Sequence, residues 1–193
     1  MKRAVILHGT DGTPVGNWFP WLRGKFEAEG YQVWAPALWE SHTPNRETWD
    51  HQVLGGRDIN ETIVVGHSAG AVEALNLLMN PRLTHIRLGV MVGAWASQDV
   101  PAEYEKQLKK AGLEREQFVN LFPPEGFDFK LIKSKADRLA FLHGSDDPFC
   151  PLEQAQYLAK ELDAPITVVP KGHHLGQKFK EIPELWEIIK PSL

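Results

Sequence analysis

The feature that most constrains this chain is an alternation running from end to end, in which short β-rich apolar runs take turns with stretches of helical spacing. The runs are Ala4–Leu7, Tyr31–Trp34, Thr62–Val65, Leu88–Val92, Arg138–Leu142 and Ile166–Val169. Apart from the mixed second, they are almost continuously hydrophobic, as strands become when both faces of a sheet are covered. Between them Trp18–Glu29, Glu47–Leu54, Ala69–Met79, Glu153–Leu162 and Leu185–Ile189 read as helices. In the third, Val72, Leu75, Leu78 and Met79 share one face. This pattern predicts an α/β fold of three layers, α/β/α, around a mainly parallel sheet of about six strands. A chain of 193 residues suffices for one such domain with its own core, spanning 1–193. One interval breaks the rhythm. From 96 to 135 there is no strand signal, only a charged helix-like piece, "PAEYEKQLKKAGLEREQF", and then "VNLFPPEGFDF". A connection that long is usually functional or carries its own structure, so a lid or pocket wall competes here with a plain crossover helix.

Composition excludes several classes of function. A formal charge of −4, with Lys109-Lys110 as the densest basic pair, argues against nucleic acid as a partner. The single cysteine, Cys150, rules out an internal disulfide and suits a reducing compartment. The apolar run in "MKRAVILHG" is too short for a signal peptide and lacks a cleavage site. No run approaches the roughly 18 residues that a membrane span needs. The expectation is a soluble cytoplasmic protein with no membrane partner.

The chemistry gathers at strand ends. In "ETIVVGHSAGA" an apolar strand runs into Gly66-His67-Ser68-Ala69-Gly70, and a helix follows at once. A serine at such a turn is lifted clear of the sheet on a strained backbone, and only small residues fit two positions to either side. A packing turn, or phosphate binding at the helix N-terminus, is the competing reading; the phosphate reading is weakened because neither G-x-G-x-x-G nor G-x-x-x-x-G-K is present. A nucleophilic serine needs a base and the base an orienting acid. Downstream, Arg138–Leu142 leads into "HGSDDPFCP" and Ile166–Val169 into "PKGHHLG", which supplies both in the order serine, acid, histidine. Register against G-x-x-D-x-x-x-P favours Asp147 over Asp146, and Gly172 directly before His173 favours it over His174. A metal site from these four residues is the weaker alternative, because no H-E-x-x-H or cysteine-pair spacing is present; no metal and no cofactor is expected. The loop "LHGTDGTPVGNW" offers the N–H of Thr10, beside that of Ala69, as donors to a developing oxyanion. His67 reads as a packing residue or part of the pocket floor, His8 and His143 as structural hydrogen-bonding residues, and Cys150 as a small buried side chain. Trp18, Trp39 and Trp95, in or beside strand-end loops, are candidates to line an apolar cleft.

Taken together, "HGTDGTPVGNWFPWLRGKFEAEGYQVWAPAL", "VVGHSAGAVEAL", "HGSDDPFCP" and "GHH" resemble the small serine hydrolases of the YdeN-like and retinoblastoma-binding protein 9 group. The resemblance spans nearly the whole chain. It implies a compact alpha/beta-hydrolase domain without a large cap and a triad of Ser68, Asp147 and His173. Departures include Ala69 in place of a bulkier apolar residue, Cys150 in place of valine, and a second histidine after His173. The activity so implied is hydrolysis of a carboxylic ester, a thioester or an activated amide of a small-molecule acyl substrate through an acyl-enzyme. The alternative of another class is a protein-interaction module that keeps the fold. An acyltransferase of the malonyl-transfer type fits less well, because such enzymes are much longer.

Overall fold

All six apolar runs form strands, and every pairing between them is parallel. In the computed structural model, which describes all 193 residues, the strands are β1 (Arg3–Leu7), β2 (Gln32–Trp34), β3 (Ile63–His67), β4 (Ile86–Val92), β5 (Ala136–Gly144) and β6 (Ile166–Val169). Their order across the sheet is β2-β1-β3-β4-β5-β6. Val65 on β3 lies between Ile6 on β1 and Val90 on β4. Because the strands run the same way, the loops after β1, β3, β4, β5 and β6 all emerge at one edge of the sheet, where open parallel sheets place their ligands.

Two cores explain the layers. On one face α1 (Phe19–Ala28) and α7 (Pro183–Ile189) bury Phe19, Phe26, Leu185 and Trp186 against Ile63, Val65 and Val90. On the other, α2 (Arg46–Gly56), α3 (Ala69–Met79) and α6 (Leu152–Glu161) bury Trp49, Leu75, Leu78 and Leu158 against Val64 and Phe141. Only Met79 of α3 escapes full burial, so this helix is apolar almost all round. One exception is Glu73, which lies fully buried on α3 beside Asp50 of α2. Burial, reinforced by the Asp50 charge, pushes the Glu73 carboxyl well above its ordinary value.

The interval 96–135 carries its own structure, two short helices. The charged piece does not continue as one helix to Phe118. It forms α4 (Ala102–Lys110) and then a 3-10 turn at Arg115–Phe118. Gly112, at φ 76°, ends α4, and Leu113 N donates back to Leu108 O at 2.9 Å, which seals the last turn with a leucine pair. A second helix, α5 (Phe129–Ser134), starts at Asp128, whose side chain accepts from Leu131 N at 2.9 Å. No helix of the chain is long and apolar enough to cross a membrane.

Candidate active site

Ser68 sits where β3 turns into α3, at φ 56° and ψ −125°. A non-glycine residue held there costs of order 1–3 kcal/mol, so the surroundings must enforce it. They do so by close approach. A Cβ on Gly66 would run into the Gly70 carbonyl, and one on Gly70 into the carbonyls of Leu7 and His8. Ser68 N donates to Val92 O at 2.8 Å, which anchors the turn to β4. The first loop closes over the serine from the other side: a Cβ on Gly9 would lie 3.2 Å from Ser68 Oγ. Ala69, as the first residue of α3, has an N–H with no intrahelical partner. Thr10 N makes no backbone hydrogen bond, and Thr10 Oγ1 is buried without a partner.

The acid and histidine loops meet beside this turn, with one pairing different from the expected one. Asp147 does not pair with His173. Its Oδ2 accepts from His174 Nδ1 at 2.8 Å, while His173 Nδ1 lies 2.9 Å from Asp146 Oδ2. The reason lies in the loop after β6. Lys171, His173 and Leu175 all take positive φ, at 53°, 46° and 49°, so the chain reverses sharply at alternate residues. The His173 carbonyl packs onto Gly144, where a Cβ would collide with it, and His173 N donates to Asp146 Oδ1 at 2.8 Å. Pinned in this way, His173 turns outward, with a side chain 46% exposed, and His174 turns inward.

Asp147 is built to stay ionised. Its side chain is 1% exposed, and Oδ1 accepts from the N–H groups of Phe149 at 2.9 Å and Cys150 at 3.0 Å. Burial alone pushes this carboxyl up. The His174 charge and hydrogen bond, with His143 and the Cys150 N–H, outweigh that and hold it below its ordinary value. His143 Nε2 donates to Cys150 O at 2.9 Å and so supports the same turn. Asp147, Cys150 and His174 offer ligand atoms within 4.8 Å of one another. As a metal site the set fits poorly, because burial pushes the Cys150 thiol well up and Asp147 is already saturated by hydrogen bonds.

Two further side chains fix the histidine loop from below. His67 Nε2 donates to His174 O at 2.8 Å, and Trp18 Nε1 donates to Leu175 O at 2.8 Å. Burial, with the nearby His174 charge, lowers His67 to about 3, so its ring is a neutral donor. His8 does similar work in the first loop: Nδ1 donates to Gly9 O and Nε2 accepts from Leu38 N, both at 2.8 Å. His67 also lines the cleft above Ser68, as the reading of it as a packing or pocket-floor residue expects, whereas its tether to the histidine loop was not readable from the sequence.

Above Ser68 opens a cleft of about 800 Å³. Gly9, Thr10, Ser68, His173 and His174 line it. Of the three tryptophan candidates, only Trp95 reaches it. Trp18 is fully buried below, and Trp39 is exposed outside, its N–H on Gln52 Oε1. Val100, Leu108, Leu113 and Phe118 extend the Trp95 wall, so the 96–135 interval forms one side of the cleft.

A family model described as serine hydrolase matches residues 4–190. The chain belongs to the serine hydrolase family. It is 24% identical over 192 residues to YdeN of Bacillus subtilis (strain 168), covering 97% of this chain and 94% of that protein. It is 25% identical over 185 residues to serine hydrolase RBBP9 of Rattus norvegicus, covering 93% and 91%. Among solved structures, the ydeN gene product from B. subtilis superposes at a TM-score of 0.81 with 23% identity, covering 100% of this chain and 98% of that one. Est1E from Butyrivibrio proteoclasticus, solved with ferulic acid bound, superposes at 0.69 with 12% identity, covering 100% and 89%. The fold of this serine hydrolase is thus that of the alpha/beta hydrolases.

Proposed function

We propose that this serine hydrolase cleaves carboxylic esters, and thioesters of similar size, through an acyl-enzyme on Ser68, with His174 as general base and Asp147 as its orienting acid. The observation that carries the reading is the 2.8 Å bond from His174 Nδ1 to Asp147 Oδ2 beside the strained serine turn. With Nδ1 committed to the acid, the imidazole has only Nε2 free to take a proton from a serine hydroxyl. Asp147 fixes that tautomer and stabilises the imidazolium that forms. No hydrogen bond joins Ser68 Oγ to His174 in this structure, and such bonds commonly tighten only with substrate in place. The N–H groups of Ala69 and Thr10, both without backbone partners, would receive the oxyanion. Ser68 Oγ attacks the carbonyl, His174 takes its proton and returns it to the leaving oxygen or sulfur, and water then repeats the sequence on the acyl-enzyme. The reading calls for no metal or organic cofactor and assigns the protein to the cytoplasm.

The test is labelling with a fluorophosphonate probe, followed by hydrolysis of p-nitrophenyl esters of increasing chain length. Stoichiometric labelling, lost in Ser68→Ala, is expected. Folded protein that neither labels nor turns over any ester would overturn the reading in favour of an interaction module.

A further inference from the structure

Two parts of the cleft lining differ in chemistry, and the difference bears on the substrate class of the site proposed above, a reading on which this inference rests. The wall from the β4–β5 interval is apolar. Trp95 packs edge-on against Phe118, with centroids 5.7 Å apart, and Leu108, Leu113 and Val100 continue the surface. Arg115 stands among them already neutralised, bonded to Glu105 at 3.0 Å and to Asp99. Residues 176–180, the segment that leaves the histidine loop, also line the cleft, and Lys178 and Lys180 are exposed there. Neither lysine makes an ion pair, whereas Asp11 lies 3.1 Å from His42 and His173 lies 2.9 Å from Asp146. Two unpaired lysines and an apolar surface therefore line the same cleft as Ser68.

Chemistry bears on which part of a substrate meets which part of the lining. The base that takes the serine proton must hand it to the leaving atom, so the leaving group lies on the histidine side of the scissile bond. Lys178 and Lys180 follow His174 closely in the chain and on this ground are assigned to the leaving group, with the Trp95 surface left to the acyl part.

We propose that the site takes esters or thioesters of an apolar acid whose leaving group carries an anionic function, such as a carboxylate or a phosphate, held by Lys178 and Lys180. Charge on the leaving group is recognised before and during the step and is not consumed. The acyl C–O or C–S bond breaks, the serine ester forms, and the anionic alcohol or thiol departs with the proton from His174.

The experiment compares the hexanoyl esters of 3-hydroxybenzoate and 3-hydroxybenzamide, a pair that differs in one charge. The readout is the ratio of their kcat/KM values in the wild type and in Lys178→Gln/Lys180→Gln, so intrinsic reactivity cancels. At low salt the ratio should fall roughly 5-fold or more in the double variant, as two exposed charges can supply. Added 0.5 M NaCl (about a 4 Å Debye length) should shrink the wild-type ratio towards that of the variant. An equal ratio in both proteins overturns the lysine assignment while leaving ester hydrolysis standing. If neither ester turns over, the same pair is titrated onto Ser68→Ala, with intrinsic tryptophan fluorescence as the signal. Tighter binding of the anionic ester that vanishes with both lysines upholds the assignment and condemns only the hydrolytic reading. Equal binding of the two esters condemns the assignment.

Discussion

Two aspartate–histidine pairs stand side by side at the end of the sheet, built from neighbouring residues and almost equal in length. Asp147–His174 measures 2.8 Å and Asp146–His173 2.9 Å. Burial separates them. The inner side chains are 1% and 17% exposed, the outer ones 41% and 46%. In the dry pair the carboxylate is held charged by backbone N–H groups on its second oxygen, so it can stabilise an imidazolium that forms during a reaction. In the wet pair the same attraction is screened and contributes little energy. Its carboxylate does something else, clasping both the ring and the backbone N–H of His173 and so setting the turn that presents His174. Residue type alone does not tell a reacting group from its brace; surroundings do.

The sharpest way to break this contrast is to remove each ring. His174→Ala should lower kcat on p-nitrophenyl butyrate by about 10⁴–10⁶, the scale of losing a triad base, and His173→Ala by less than about 10-fold. Opposite magnitudes would return the base role to His173. Next come the acids. Asp147→Asn should cost about 10⁴ in kcat through the wrong imidazole tautomer. Asp146→Asn should cost less than about 10-fold in rate and about 1 kcal/mol in urea unfolding, through its weakened clasp. A large kcat effect at Asp146 with folding intact would show that the outer pair reacts. The smallest effect is on acid stability. Because Asp147 is held below its ordinary value in the folded chain, it adds stability above about pH 4, and that stability is lost as pH falls through the lowered pKa. The Tm of the wild type should therefore fall more steeply below about pH 4 than that of Asp147→Asn. Parallel curves would mean that the inner carboxylate gains nothing from its site.

Much of the fold is legible in the chain because each strand is buried on both faces and announces itself as an apolar run. The elbow is legible for a related reason, since Gly66 and Gly70 stand where only glycine fits. That Asp147 is the inner carboxylate of the pair agrees with its spacing to Pro151. That His174 is the ring bonded to it could not be read. Two adjacent histidines differ only in which way the loop turns, and that is decided by the Gly144 contact and the Asp146 clasp, neither of which is local in sequence. Trp18 misleads for a similar reason: it belongs to a strand-end loop, yet it packs edge-on against Phe19, 4.6 Å between centroids, beneath the site. Glu73 gives no sign in the sequence of its raised pKa, because only the folded chain buries it against Asp50. The break after α4 was marked by Gly112, which the charge pattern on either side concealed.

The hydrogen bond from His67 to the His174 carbonyl has a mechanical consequence. The histidine loop springs from β6, a four-residue strand at the sheet's margin that pairs only with β5. Marginal strands fray first. His67, however, is the residue before Ser68, on a strand paired on both sides. The tether makes the loop ride with the serine rather than with its own strand, so the outer sheet can breathe while serine and histidine keep their spacing.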